Sequence, residues 1–296
     1  MRAVVIHEFG GRDKLRVEDV PEPRLLPDGV RIRIRAAAAN PVDWKTREGR
    51  QQQRFPHLFP VILGWDAAGV VEQVGPAARW FRPGDEVFAY CRKHFIGEGT
   101  YAEQVVVPDG FVARKPSNLG FEEAAAVPLA ALTAYQCLVE RLQLRPGETV
   151  LIHAAAGGVG HFAVQIAAAL GAKPIGTASP PNHDFLRELG AVEALDYHDG
   201  ELPRVDCALD PIGGETLDRT LAVAGRTVSI AQPGKGHQYV YVRPSGAELT
   251  ELARWLEDGR LRVHLQETLP LENAARAHEL LEDGHVRGKI ALTVSE

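Results

Sequence analysis

Up to about Pro116 the apolar positions come in short runs separated by Gly and Pro: "RAVVIH", "VRIRIRAAA", "AAGVVEQVG", "DEVFAY" and "YAEQVVVP". The alternation is cleanest where Val30, Ile32 and Ile34 are set against Arg31, Arg33 and Arg35, the period of a strand with one buried and one wet face. This half predicts a small β-barrel. From Phe121 the pattern changes to Ala-rich helical stretches alternating with strands: "FEEAAAVPLAALTAYQCLVE", "KPIGTAS", "NHDFLRELG", "EALDY", "VDCALD", "GGETLDRTLAVA" and "GRTVSI". That order predicts a parallel sheet wound on both faces.

Near the end, "SGAELTELARWLEDG" opens on a capping box, Ser245 and Glu248, and places Leu249, Leu252, Ala253 and Leu256 on one face before it stops at Gly259. A last β-type run, Lys289 to Val294, is expected to return and complete the first domain. Between "LDY" and "VDCALD" the link is too short for a full crossover helix.

The length, 296 residues, suits two domains rather than one core. With 39 acidic against 33 basic residues the formal charge is -6, which argues against a nucleic-acid partner held by bulk electrostatics. The first residues lack the apolar core of a signal peptide and no run reaches the length of a membrane span, so a cytoplasmic protein with no membrane partner is expected. Cys91, Cys137 and Cys207 are scattered and odd in number, which fits reduced thiols.

The chemistry concentrates in "LIHAAAGGVGHFAVQIAAALGA". Thr149 to Ile152 read as a buried strand, and Phe162, Ile166 and Leu170 recur at helical spacing after the glycines. Ala154, Gly157 and Gly160 form A-x-x-G-x-x-G at the hinge. In a dinucleotide fingerprint the first position allows a tight turn and the middle glycine admits the pyrophosphate. The last lets helix pack on strand, and the helix start supplies free N–H groups.

About 20 residues after such a motif an acid would bind the ribose 2'-hydroxyl of NAD. Here stand Thr177, Ala178 and Ser179, with His183 and Arg187 nearby and no acid before Asp184. This favours NADPH. His161 is read as a packed or solvated first-turn residue, not a catalyst.

Taken with "ANPVDWKTREG", "LGWDAAGVVEQVG", "FRPGDEVFAY", "GTYAEQVVVP", "AAAVPLAALTAYQCL", "AAAGGVG", "LGAVEALDY", "DPIGG" and "RGKIALTV", the chain resembles the medium-chain dehydrogenase/reductase superfamily. Within it the likeness is to the zinc-free quinone oxidoreductases and NADPH-dependent alkenal reductases. The resemblance implies an α/β fold: a GroES-like β-barrel catalytic domain over residues 1–118 and 260–296, and a Rossmann doubly wound parallel-sheet domain over 119–259. It also implies a cleft between them for nicotinamide and substrate, and a homodimer formed through Rossmann sheet edges.

In zinc-containing members the catalytic metal is held by a Cys where this chain has Asn40 and by a His where it has Trp65, so no metal site is expected. The resemblance also carries residues over. Ala156, Gly157, Gly158, Val159 and Gly160 would cradle the pyrophosphate, Thr133 would lie beside the nicotinamide, and Ser179, His183 and Tyr197 would surround the 2'-phosphate. Asn40 and Lys45 match cleft-facing positions and are the candidate catalytic donors to the substrate carbonyl oxygen. Lys45 serves equally as a cofactor ligand.

Asn40 also reads as a turn residue before Pro41, and Lys45 as a surface lysine. Trp44, Trp65 and Tyr101 are either cleft lining or barrel core, and Asp43 and Asp66 read as structural acceptors. The expected activity is NADPH-dependent hydride transfer to a small-molecule quinone or α,β-unsaturated carbonyl; the alternative is a non-catalytic NADPH-binding sensor or structural protein. Shortening around "SIAQPGKGHQYVYVRP" implies a more open cleft.

Overall fold

The strand with alternating Val, Ile and Arg is the spine of the first unit. In the computed structural model, which describes residues 1–199 and 201–294, β3 (Gly29–Ala39) buries Val30, Ile32 and Ile34 and turns Arg31, Arg33 and Arg35 outward. Before it lie β1 (Arg2–Ile6) and β2 (Arg16–Asp19), and after it β4 (Val61–Ile62), β5 (Asp66–Val74), β6 (Glu86–Tyr90), β7 (Gln104–Pro108) and β8 (Val112–Arg114). β3 pairs antiparallel with both β5 and β7, while β1, β2 and β4 form a separate small sheet.

The second unit holds β9 (Thr149–Ile152), β10 (Lys173–Ala178), β11 (Glu193–Asp196), β12 (Val205–Asp210), β13 (Ala224–Ser229) and β14 (Gln238–Tyr239). Every pairing is parallel and the order is β11-β10-β9-β12-β13-β14, the doubly wound dinucleotide-binding arrangement. Leu151, Ile175, Val205 and Ala208 form its sheet core. Residues 197–204 carry the chain from β11 past two strands to β12, and those described there form no helix. Three strand spacings are about 14 Å, within the roughly 27 Å that eight extended residues reach.

The final strands β15 (Leu265–Pro270) and β16 (Lys289–Thr293) return to the first unit, where β16 pairs antiparallel with β3, as expected of the C-terminal run. Eight helices fall, among the described residues, at α1 (Pro41–Arg47), α2 (Phe121–Ala125), α3 (Pro128–Tyr135), α4 (Gly158–Ala169), α5 (His183–Glu188), α6 (Gly214–Leu221), α7 (Gly246–Glu257) and α8 (Ala274–Asp283).

The unit boundaries differ from the expected 118/119 and 259/260. The first unit comprises Met1–Leu129, Pro244–Glu257 and the chain from Val263; the second comprises Ala130–Arg243 and Asp258–Arg262. The cause is packing: α2 lies on β3, β5 and β16, and α7 lies on β8. Arg262 goes with the second unit because its backbone N–H and carbonyl pair with the Gln165 side chain at 2.7 and 3.1 Å. In α7 the expected apolar face is buried, and the Ser245 hydroxyl accepts the Glu248 N–H at 3.3 Å.

Candidate functional site

In the second unit the glycine hinge connects β9 to α4. Ala154 takes the tight turn with φ 47°, a left-handed conformation that costs a non-glycine residue about 1 kcal/mol or more. Gly157 is the N-cap of α4 and no side chain caps the helix, so the first backbone N–H groups of a twelve-residue helix lack intrahelical partners. Ala156 is buried, while Gly157, Gly158 and Val159 are partly exposed. A Cβ on Gly160 would come within 2.6 Å of Ala155 Cα and closer still to the Ala154 carbonyl oxygen, so this glycine seats the helix on the strand. A Cβ on Gly157 would meet only that carbonyl, at 3.3 Å.

Because β9, β10 and β11 are parallel neighbours, their C-terminal tips bring the hinge, Ser179 and Tyr197 to one edge of the sheet. Ser179 Oγ accepts from Asn182 Nδ2 at 3.0 Å, and His183 Nε2 lies 3.2 Å from the Ala178 carbonyl. Asn182 is a member of this polar tip that the sequence reading missed. Arg187 is held by Asp184 at 2.6 Å, so the one acid just after the tip is already paired. Tyr197 is 48% exposed and its ring rests on His198. Thr133 is buried in α3, one residue pair before the helix widens into a π-turn at Gln136–Arg141.

His161 is fully buried, with Nδ1 3.0 Å from the Gly157 carbonyl, which makes it a packing residue. His153, behind the hinge, bridges Thr177 at 3.1 Å and Thr220 at 2.8 Å. The Thr220 hydroxyl donates to the Thr216 carbonyl, so its oxygen accepts from His153 Nε2–H, and in the neutral ring Nδ1 accepts the Thr177 hydroxyl. Burial, followed by Arg219, pushes His153 down to about 4 against the pull of Asp210.

A histidine of depressed pKa contributes stability that is present above pH 6.5 and is lost as pH falls toward 4. The stability difference between wild type and His153→Gln should therefore shrink by up to about 3 kcal/mol over that window in urea unfolding. Parallel pH curves for the two proteins would refute it.

The first unit holds the other candidates. Asn40 follows β3 and caps α1: its backbone N–H donates to Asp43 Oδ2 at 2.8 Å, and Pro41 sits at N1. Its side chain is 2% exposed and fully engaged. Nδ2 donates to Asp66 Oδ2 at 2.8 Å and Ala38 O at 3.3 Å, while Oδ1 accepts from Lys289 Nζ. Both amide hydrogens are spent, so the donor role toward a carbonyl oxygen expected of Asn40 is not the one its geometry offers.

Lys45 differs. It is half-buried on α1, its Nζ lies 5.5 Å from the Trp44 ring centroid, and no carboxylate pairs with it among the described residues. Desolvation, then Arg50, lowers its pKa. Trp65 and Tyr101 are barrel core, whereas Trp44 is half-buried.

Asp43, Asp66 and Lys289 are all buried. Burial pushes Asp43 up to about 7 and Asp66 up to about 6, and the Lys289 ammonium opposes both shifts, more strongly at Asp66. Lys289 went unnoticed in the sequence because its partners lie some 220 to 250 positions earlier.

Residues 26–117 match the alcohol dehydrogenase GroES-like domain family and residues 189–292 the zinc-binding dehydrogenase family. Over 99% of this chain and 79% of the relative, it is 34% identical to the NADPH-dependent alkenal/one oxidoreductase, chloroplastic, of Arabidopsis thaliana. This chain belongs to the zinc-free quinone oxidoreductases and alkenal reductases of the medium-chain dehydrogenase/reductase superfamily.

Among solved structures of this superfamily, the quinone oxidoreductase from Coxiella burnetii superposes with a TM-score of 0.90 at 32% identity, covering 100% of this chain and 99% of that one. The quinone oxidoreductase of Escherichia coli complexed with NADPH superposes at 0.88 and 28% identity, over 99% and 100%. The first unit is the superfamily's GroES-like domain and the second its Rossmann domain.

The zinc in the matched family's description does not fit the donors here. Trp65 offers no lone pair, the Asn40 amide is saturated, and an ammonium already sits on Asn40 and the Asp66 side. A dinucleotide fits: α4 opens on two successive glycines, Gly157 and Gly158, and the β10 tip is polar.

Proposed function

We propose that this chain reduces a quinone or an α,β-unsaturated carbonyl compound with NADPH. The observation that carries the reading is the uncapped start of α4 after β9, together with a β10 tip that bears Ser179, Asn182 and His183 and no unpaired acid. NADPH, when bound, supplies the hydride for an electron-poor carbon. Ala156, Gly157, Gly158, Val159 and Gly160 hold its pyrophosphate through backbone N–H groups. Ser179, Asn182, His183 and Tyr197 surround the 2'-phosphate, and Thr133 orients the nicotinamide.

Lys45 is the proposed mobile cation. Its ammonium, held by no carboxylate among the described residues, either stabilises negative charge on the substrate oxygen or binds the cofactor. Asn40 acts by capping α1, the helix that carries Lys45.

The test is stopped-flow oxidation of NADPH and of NADH against a quinone, an enal and a cyclic enone. NADPH oxidised well ahead of NADH by at least one acceptor is expected. Saturable NADPH binding with no oxidation by any of the three would replace this reading with a sensor. Lys45→Met is expected to lower kcat/KM by about 10- to 100-fold, the worth of one charge-assisted hydrogen bond, with the melting temperature unchanged. Unaltered kinetics would remove Lys45 from the site.

We also propose a cytoplasmic homodimer joined through β14. That two-residue strand is last in the sheet order, the Rossmann sheet edge at which the family resemblance implies that a second copy joins. Sedimentation equilibrium giving one chain mass would rule this out. Among the described residues no helix is long and apolar enough to cross a membrane.

A further inference from the structure

The ladder between β16 and β3 sets Ile290 opposite Ala39, which brings Lys289 beside Asn40 at the strand's end. The Lys289 side chain is 3% exposed. Its Nζ donates to the Ala39 carbonyl at 3.1 Å and to Asn40 Oδ1, and lies 3.7 Å from Asp66 Oδ2. Asp66 extends the hold, since its Oδ1 accepts the Leu129 N–H at 2.7 Å in the first turn of α3. Asn40 in turn begins α1, where its carbonyl accepts the Asp43 N–H at 2.9 Å.

Isolated charges are too costly to bury unless bonded, so an ammonium at this depth needs a task that a neutral side chain cannot do. We infer that Lys289 is a positioning residue whose buried ammonium does the work of a bound cation. It gathers Asn40, the Ala39 carbonyl and Asp66, and thereby fixes the starting points of α1, which carries Lys45, and of α3, which carries Thr133. Two of its three partners are neutral oxygens. Charge balance with Asp66 therefore does not exhaust its role, and a neutral pair in place of Lys289 and Asp66 leaves Asn40 Oδ1 and the Ala39 carbonyl without their donor.

Lys289→Met alone strands the Asp66 carboxylate and can fail to fold, so the deciding variant is Lys289→Met combined with Asp66→Asn. Hydrogen exchange in this double variant should be at least ~10-fold faster at the α1 amides, Asp43 to Arg47, than the change averaged over the rest of the first unit, a local loss of about 1.4 kcal/mol. The kinetic arm alone rests on the function proposed above: single-turnover hydride transfer should fall ~10-fold while the NADPH Kd stays within about threefold.

Unchanged α1 exchange with wild-type hydride transfer would overturn the inference in favour of charge balance alone. A wild type that binds NADPH and oxidises it with none of the three acceptors defeats the function reading, and the exchange result still decides this one. Should the double variant not fold, nitrogen-15 NMR of lysine side chains in the wild type decides. A solvent-protected ammonium at neutral pH is expected at Lys289, and a neutral amine there refutes the inference.

Discussion

Gly160→Val is expected to abolish measurable NADPH binding and to lower the melting temperature by about 3–5 °C, the result of roughly 2–3 kcal/mol of overpacking in a chain of this size. The added Cβ would fall against Ala154 O, Ala155 Cα and the Ala155 carbonyl carbon, all of them backbone. A flexible side chain could swing aside; a peptide turn held by the Ala155 N–H to Thr177 carbonyl bond at 2.9 Å cannot do so without moving β9 or β10. Relief therefore comes from pushing α4 off the sheet, which displaces the N–H groups proposed to hold the pyrophosphate.

Gly157→Ala is the informative partner. Its backbone, φ -82°, suits any residue, and its Cβ meets only one carbonyl at 3.3 Å. The melting temperature should hold within about 1 °C while NADPH affinity falls about tenfold, because the methyl occupies the phosphate's approach. Differential scanning fluorimetry and fluorescence titration with NADPH separate the two effects. Equal losses of stability in both variants would show that the hinge glycines serve packing alone.

The hinge was legible because its logic is local: a strand, three small residues at fixed spacing and a helix all lie within twenty-two consecutive positions. The same holds for β3, whose Val, Ile and Arg alternation states which face is wet, and for the return of β16, an apolar run with no partner nearby in the sequence. What stayed hidden depends on contacts between distant segments. Amphipathic spacing said that α7 buries Leu249, Leu252 and Leu256, yet gave no hint that β8 of the first unit covers them.

Asn40 was recognised as a site position, but its saturation by Asp66 and Lys289 requires three segments to meet. A lone lysine at the start of an apolar strand is the only signal that could have pointed there. Asp43 and Asp66 were read as structural acceptors, and they do accept: Asp43 from the Asn40 backbone and the Tyr101 hydroxyl, Asp66 from Asn40 and Leu129.

Arg47→Met should cost about 3–5 kcal/mol, the usual penalty for removing one member of a buried charged network. Arg47 closes α1 with its side chain 1% exposed. Nε donates to the Gly10 carbonyl at 3.0 Å, and Nη1 donates to Glu282 Oε1 at 2.8 Å and to His278 Nδ1 at 3.2 Å. Since a guanidinium only donates, His278 Nδ1 must accept, which leaves Nε2–H to face the Tyr101 oxygen at 3.3 Å and the Tyr101 hydroxyl to donate to Asp43 at 3.1 Å.

Met conserves much of the volume and removes every donor. Glu282, at the rim, regains water, so adding Glu282→Gln should recover only a minor part of the loss; the buried His278 ring and the half-buried Gly10 carbonyl account for the rest. Burial first, and then the Arg47 charge, hold His278 down to about 3. Taking the charge away raises that pKa, so the variant should lose less stability than wild type as pH falls from 6.5 toward 4. Urea unfolding at several pH values checks both statements. A loss below about 1 kcal/mol at pH 7, the range of an exposed ion pair, would mean that Arg47 is solvated and the network does not hold α1 in place.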